Sequence, residues 1–438
     1  MIRVSVSATG RQWSLGGLAG MSLCLAASAA SAQTVRTVTL EEAIALAHRN
    51  HPVAVAAETE VAVASADRLT SLGSFLPTVT ANGVYTNSSN ERFDQSTGQR
   101  VSTSYIAQTQ FGWDLFTAGR RLSGYRAARS RLAAADASLR EAHFGTALET
   151  TAAFYGAAAA VHLVDVANQR LTRAHQQAEF ARTRLEVGTA TRSDVLRAEL
   201  EVGNSEVAVI DAESGLRSAR LALGRQIGAG GEVQPADPEL PESAPALPPH
   251  DSLSVRAART SPLVLSAEAD RAATGSERFS SYMAYVPSLR LTGGLDWFSP
   301  TYPPQDRSWN LRLTASLPVF NGFQREANIQ RAEAAERFAD ARARDAELGA
   351  RAAAVDAAQQ IESAQRRVAI ARRTVELARE DLRVQEERYQ IGSATIVELQ
   401  TSQLALAEAE SLFVLSREQL GVAIATLEAV LGERIDAN

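Results

Sequence analysis

The chain has 438 residues, 45% hydrophobic and 21% charged, enough for one large core or two equivalent halves. Its formal net charge is −6 and all 44 of its basic residues are arginines. With no basic stripe interleaved with aromatics, this balance excludes nucleic acid as a partner.

Residues 1 to 32 read as a secretory signal. Arg3 and Arg11 give a positive start, and an apolar run follows from Trp13 to about Ala30. Ala30-Ser31-Ala32 fits the small-residue cleavage pattern, so the mature chain is expected to begin at Gln33. A membrane anchor is the alternative, but the run is short for a span and broken by glycine and serine. The only cysteine, Cys24, lies in this segment behind Leu23, not behind a small residue, so no lipid anchor is expected. The mature chain would then have no disulfide and no thiolate chemistry.

TLEEAIALAHRNHP (39 to 52) predicts a short helix with Thr39 as cap, Glu41 and Glu42 in its first turn and a break at Pro52. Residues 53 to 74 continue as helix. The period then changes. Val79, Ala81 and Tyr85 alternate with Thr78, Thr80, Asn82 and Thr86, and Tyr105, Ala107, Phe111 and Trp113 alternate with Ser104, Gln108, Gln110 and Asp114. These predict strands at about 77–88 and 103–115, each with one apolar and one polar face, joined by an exposed loop over 87–101. A helical run of roughly 70 residues follows, from about 118 to 188, which is about 105 Å of helix.

Residues 226 to 250 hold Pro235, Pro238, Pro241, Pro245, Pro248 and Pro249 and read as an irregular linker between a first repeat, 33–225, and a second, 251–438. The second repeats the plan of the first. YVPSL at Tyr285 answers FLPTV at Phe75. Leu289, Leu291, Leu295 and Trp297 alternate with Arg290, Thr292 and Asp296, and Trp309, Leu311, Leu313, Ala315 and Leu317 alternate with Asn310, Arg312, Thr314 and Ser316. Strands are expected at about 287–298 and 308–318, around a loop at 299–307, before a second long helical run from about 323 to 391.

Each long run ends in a matched stretch: RLEVGTATRSDVLRAELEV (184 to 202) and RYQIGSATIVELQTSQLAL (388 to 406). Gly188 and Gly392 supply a tight reversal. Thr191 with Asp194, and Thr395 with Glu398, suit a helix cap and first-turn anion. Each copy predicts the tip of a helical hairpin. A seven-residue pattern flanks the second tip at Ile361, Val368, Val375, Leu382 and Tyr389, then Leu399, Leu406, Phe413, Leu420 and Leu427. The first tip has Val164, Leu171, Ala178 and Leu185, then Val195, Val202, Val209, Leu216 and Leu223. Such a repeat predicts left-handed coiled packing.

Three of the four tryptophans, Trp113, Trp297 and Trp309, fall on the apolar strand faces near strand ends, as do Tyr85 and Tyr105. Apolar faces bounded by aromatic girdles predict transmembrane β-strands, with a soluble sandwich face as the alternative. Four strands close no adequate barrel, and lipid tolerates no open edge, so several chains are expected to share one.

TLEEAIALAHRNHP, the paired FLPTV and YVPSL, DLFTAGRR (114 to 121), PVFNGFQRE (318 to 326) and the two tips, duplicated in order over the mature chain, resemble the TolC family of outer-membrane efflux and secretion channels. The resemblance implies an α+β membrane protein. Each repeat would be a strand pair plus a long coiled hairpin, assembled as a homotrimer with a twelve-stranded β-barrel in outer-membrane lipid and a periplasmic α-helical tunnel. It also implies a periplasmic adaptor (membrane fusion) protein and an inner-membrane pump of RND or ABC type as partners. The implied gate comprises Tyr389 and Asp194 linking neighbouring hairpins, Glu398 as an acidic ring and Thr401 where some members carry a second. Ala394 stands where some have a basic residue. The adaptor would dock at Gly188, Thr191, Gly392 and Thr395. Tyr389 can equally be a seam residue, Asp194 and Glu398 first-turn anions, and Thr191 and Thr395 simple caps.

Neither a metalloprotease motif, a phosphate loop nor a dinucleotide fingerprint is present, so no catalytic residue, cofactor or metal site is expected. The six histidines are scattered; His48 and His51 are the one closely spaced pair and are expected at the surface. The competing reading is a non-conducting periplasmic coiled-coil scaffold or adhesin anchored by a small barrel. Drugs, metal ions and polypeptides all remain open as cargo.

Overall fold

The structure is a computed structural model that describes residues 36–93, 98 and 100–435. The expected signal, its cleavage site and Cys24 lie outside the described residues. A short strand β1 (Arg36–Val38) leads into α1 (Leu40–Asn50), whose start is closed reciprocally. The Glu42 N–H donates to the Thr39 hydroxyl at 3.2 Å and the Thr39 N–H to the Glu42 carboxylate at 3.2 Å. Pro52 then opens α2 (Pro52–Gly73) from its first turn, where a missing N–H costs nothing.

The chain next makes β2 (Thr78–Phe93) and β3 (Arg100–Phe116), then α3 (Arg120–Glu186) and α4 (Arg192–Gln226). After β4 (Val233–Pro235) the order recurs as α5 (His250–Thr260), α6 (Pro262–Tyr282), a single 3-10 turn, β5 (Ser288–Ser299), β6 (Asp306–Ser316), α7 (Gln324–Gln390) and α8 (Ile396–Leu431). The long helices α3 and α7 have 67 residues each, and their return helices 35 and 36. At about 1.5 Å per residue each long helix spans about 100 Å.

The four long strands form one antiparallel sheet in the order β2-β3-β5-β6, so the two halves join at β3–β5 and leave β2 and β6 as edges. Register sets Val79 beside Phe111, Tyr85 beside Tyr105, Trp113 beside Leu291, Leu291 beside Leu313 and Leu295 beside Trp309 on one face. On the other face Asp114 pairs with Arg290 in register and by a 3.5 Å ion pair. Three apolar residues break the alternation, and register lines them up in one row on the polar face: Val84, Ile106 and Phe298.

The loop expected over 87–101 is largely strand, with a register shift between Asn87 and Arg92. Ladder hydrogen bonds do not require an apolar face, so a hairpin of serine and asparagine continues beyond the apolar band.

The seven-residue seam of the second hairpin is buried from Ile361 through Tyr389 and at Leu399, Leu406, Leu420 and Leu427. The first seam differs. Val164, Leu171, Val202, Val209 and Leu216 are half-buried and Leu185 is exposed, while alanines three positions on (Ala167, Ala174, Ala181) are buried instead. Alanine has little apolar area, but it lets helices approach closely. The linker is irregular yet packed. β4 pairs with β1 in parallel, Leu240 is buried among Ala158, Ala159 and Val414, and the Arg417 guanidinium donates to the Leu240 carbonyl.

Candidate functional site: the paired helical tips

Each long helix ends in the same backbone construction. Gly188 (φ 80°) and Gly392 (φ 78°) take the left-handed conformation that a side chain disfavours. Their N–H groups donate to the carbonyls of Leu185 (3.0 Å) and Tyr389 (3.1 Å). The next N–H groups, of Thr189 and Ser393, donate to the Arg184 and Arg388 carbonyls at 2.8 Å each. Both hydroxyls, Thr189 and Ser393, donate to the same carbonyls at 3.2 Å, and Arg184 and Arg388 donate back to the Thr189 and Ser393 carbonyls at 3.3 Å.

The return helices start alike. The Thr191 N–H and hydroxyl donate to the Asp194 carboxylate at 2.9 and 2.8 Å, and those of Thr395 to Glu398 at 2.7 and 2.9 Å. These two threonines are caps in the structure. The Glu398 carboxyl is held below its usual range first by the Thr395 N–H and then by its hydroxyl, with Arg388 adding a favourable charge. Glu398 is exposed, Asp194 half-buried, and the Thr401 hydroxyl donates to the Val397 carbonyl of its own helix at 2.8 Å.

Tyr389 is both a seam residue and a junction. It is 5% exposed, its ring lies 5.9 Å from that of Phe180, and burial pushes its phenol up. Arg184 crosses from the first hairpin to the second: its Nη1 donates to the Tyr389 carbonyl at 2.7 Å, with its guanidinium 5.0 Å from the Tyr389 ring centre. Gln400 adds a second link, donating to the Arg197 carbonyl at 3.1 Å. One apolar cluster, including Ala178, Val195, Ala198, Leu382, Ile396 and Leu399, underlies both tips. Sequence reading missed Arg184 and Phe180 as partners of Tyr389; the signal for Arg184 was its match to Arg388 across the repeat. It also missed Val187 and Ile391, 75% and 80% exposed, which place an apolar side chain ahead of each tip glycine.

At the sheet, Tyr85, Tyr105, Trp297 and Trp309 cluster towards the hairpin ends, where Tyr85 and Tyr105 have ring centres 5.0 Å apart. Trp113 stands at the opposite end, donating from its indole to the Phe75 carbonyl at 3.0 Å. His48 and His51 are partly buried, not surface residues. His48 stacks on His143 with ring centres 4.5 Å apart, because α1 lies along α3. No group of three or more His, Cys, Asp or Glu among the described residues is arranged to hold a metal ion.

Comparison with known proteins bears on this architecture. The chain is 25% identical over 254 residues to Protein CyaE of Bordetella pertussis, covering 56% of this chain and 53% of that one. It is 27% identical over 260 residues to Outer membrane protein OprJ of Pseudomonas aeruginosa, covering 55% and 52%. The match thus spans about half the length of these curated relatives. Among solved structures, CusC superposes with a TM-score of 0.77 over 91% of this chain and 94% of that one at 18% identity, a likeness of fold. The model of the outer membrane efflux protein family matches residues 43–229 and 253–433. With two matched segments that coincide with the two structural repeats, the chain belongs to the outer membrane efflux protein family.

Proposed function

We propose that three copies of this chain form a passive channel across the outer membrane and periplasm, the exit duct of a tripartite efflux or type I secretion system for small molecules. The observation that carries this reading is the open four-stranded sheet. β2 and β6 are unpaired edges on a sheet with one apolar face, and such a face enters lipid only in a closed barrel. Three chains supply twelve strands.

The helices support the same assembly. Leu196, Leu200, Val207 and Ile210 are exposed along α4, and Ile370, Leu377 and Val384 along α7, with Ile391 just past its end, at seven-residue spacing. These are coiled-coil seams lacking a partner within one chain. Asp194, Tyr389 and Glu398 then ring the periplasmic entrance, where Glu398 favours cations, and Thr401 adds no charge. A periplasmic adaptor docks on the tips around Gly188, Thr191, Gly392 and Thr395, with Val187 and Ile391 as its apolar anchors, and an inner-membrane RND or ABC pump drives the cargo.

The test is the mass of the detergent-purified protein, then single-channel current in a planar bilayer. A trimer passing a cation-selective current that becomes less selective in Glu398→Ala is the expected result. A monomer, or a trimer that stays silent even when Arg184→Ala loosens the tips, overturns the channel and leaves the scaffold.

A further inference from the structure

The two tips share their glycine, hydroxyl and cap bonds, but their arginines differ in one bond that crosses between hairpins. Arg184 reaches the other hairpin at the Tyr389 carbonyl, whereas the Nη1 of its counterpart, Arg388, turns back to Gln385 Oε1 at 3.2 Å on its own helix. The repeat explains the difference. The position equivalent to Gln385 in the first hairpin is Ala181, which offers no side-chain acceptor to the Arg184 Nη1, while its Nη2 stays on the Thr189 carbonyl. The receiving surfaces differ in the complementary way. Arg184 covers Gly392: a β-carbon there would lie 3.6 Å from its Nη2, while around Gly188 there is open space. The Leu185 carbonyl, equivalent to that of Tyr389, accepts the Val187 and Gly188 N–H groups as the Tyr389 carbonyl accepts those of Ile391 and Gly392, and the Tyr389 carbonyl takes the Arg184 guanidinium in addition.

We propose that Arg388 is a latch between chains, donating to the Leu185 carbonyl of the neighbouring copy as Arg184 donates to the Tyr389 carbonyl within one. This rests on the trimeric channel proposed above. In a ring of six alternating hairpins, every contact from first to second hairpin inside a chain has a counterpart from second hairpin to the first of the next copy. The partner is therefore a second copy of this chain, and the contact is head-to-tail. The seam between chains is the weaker of the two for stated reasons. Leu185 has no ring for the guanidinium to stack on, and Gln385 competes for the same Nη1. Arg388 has two homes, Gln385 when the seam parts and Leu185 of the neighbour when it closes.

The experiment records single channels of the full trimer and three variants, each first checked for trimer mass. Arg388→Ala removes the latch and is expected to raise open probability about tenfold, the worth of one charge-assisted hydrogen bond. Gln385→Ala removes the competitor and lowers open probability. Gln385→Glu keeps Arg388 at home by an ion pair and raises open probability with the arginine still present. A structural role for Arg388 alone moves neither glutamine variant in opposite directions. Conducting trimers in which all three variants open like the parent overturn the latch and leave the channel standing. Protein that is monomeric overturns both.

Discussion

At the scale of single residues, the tip carboxylates illustrate how one side chain can serve two structures. Glu398 is tied by two hydrogen bonds to the residue that caps its own helix, so it is ionised and fixed in direction at the same time. Its folded-state pKa is lowered, so the charge is fully present above the ordinary carboxylate range and is lost only at lower pH. Thr395→Ala removes the hydroxyl but leaves the backbone donor. The pH at which cation selectivity disappears is expected to move upwards in that variant, read from reversal potentials in a salt gradient; an unmoved midpoint removes Glu398 from the conduction path. His143 shows the opposite case. Burial and then the neighbouring His48 lower its pKa, against a smaller opposing pull from Glu58. The fold thus favours neutral His143: its contribution is complete above the unfolded value of about 6.5 and is lost as pH falls below it. Thermal midpoints should drop between pH 7.5 and 5.5 by less in His143→Gln than in the parent. The caps were legible in sequence because their partners lie three residues apart. The stacking of His48 on His143 was not, because 95 residues separate them and only the packing of α1 on α3 brings them together.

Among the elements, the long helices were readable because the seven-residue period and the two glycine tips mark both course and end. What the period did not reveal is that the hairpins use it unequally. The second buries its large seam residues along both helices, whereas the first buries Val195 and Leu223 on its return helix but relies on alanine along α3 and leaves Leu185 exposed. Sequence shows a period; which face meets a neighbour depends on the crossing of helices. Glycines within helices separate these surroundings sharply. At Gly421 of α8 a β-carbon would sit 2.5 Å from the Tyr155 ring and 3.2 Å from Pro241, so the linker, α3 and α8 converge there with no room. At Gly203 of α4 nothing lies within 4 Å. In the single chain, Gly203→Ala is expected to stabilise by about 0.5–1 kcal/mol through helix propensity alone. Gly421→Ala should destabilise by about 1–3 kcal/mol through overpacking. Denaturant midpoints of the two variants measured side by side check this, and equal shifts in the same direction would show that the helices do not meet at Gly421.

For the whole molecule, the decisive division is between the two faces of the β-sheet, since it assigns one side to lipid and the other to the lumen. The alternation of Leu311 and Leu313 with Asn310, Arg312 and Thr314 made this division visible in the sequence, and register extends it across all four strands. The row of Val84, Ile106 and Phe298 was invisible there, because each is a single exception in its own strand and only register makes them neighbours. An arginine placed on either face tests the assignment directly. Leu311 lies at the middle of β6, in the register row between that of Trp113 and that of Trp309, so Leu311→Arg on a lipid face costs about 2–4 kcal/mol per chain near the bilayer midplane. Asn310→Arg, one residue earlier and opposite the uncharged Gly294, faces water in the barrel and costs close to nothing. Folding both variants into lipid vesicles and titrating them with denaturant is expected to shift the midpoint strongly for Leu311→Arg and hardly at all for Asn310→Arg. The reverse order would put the apolar face against protein, as in a soluble sandwich, and would dissolve the case for a shared barrel.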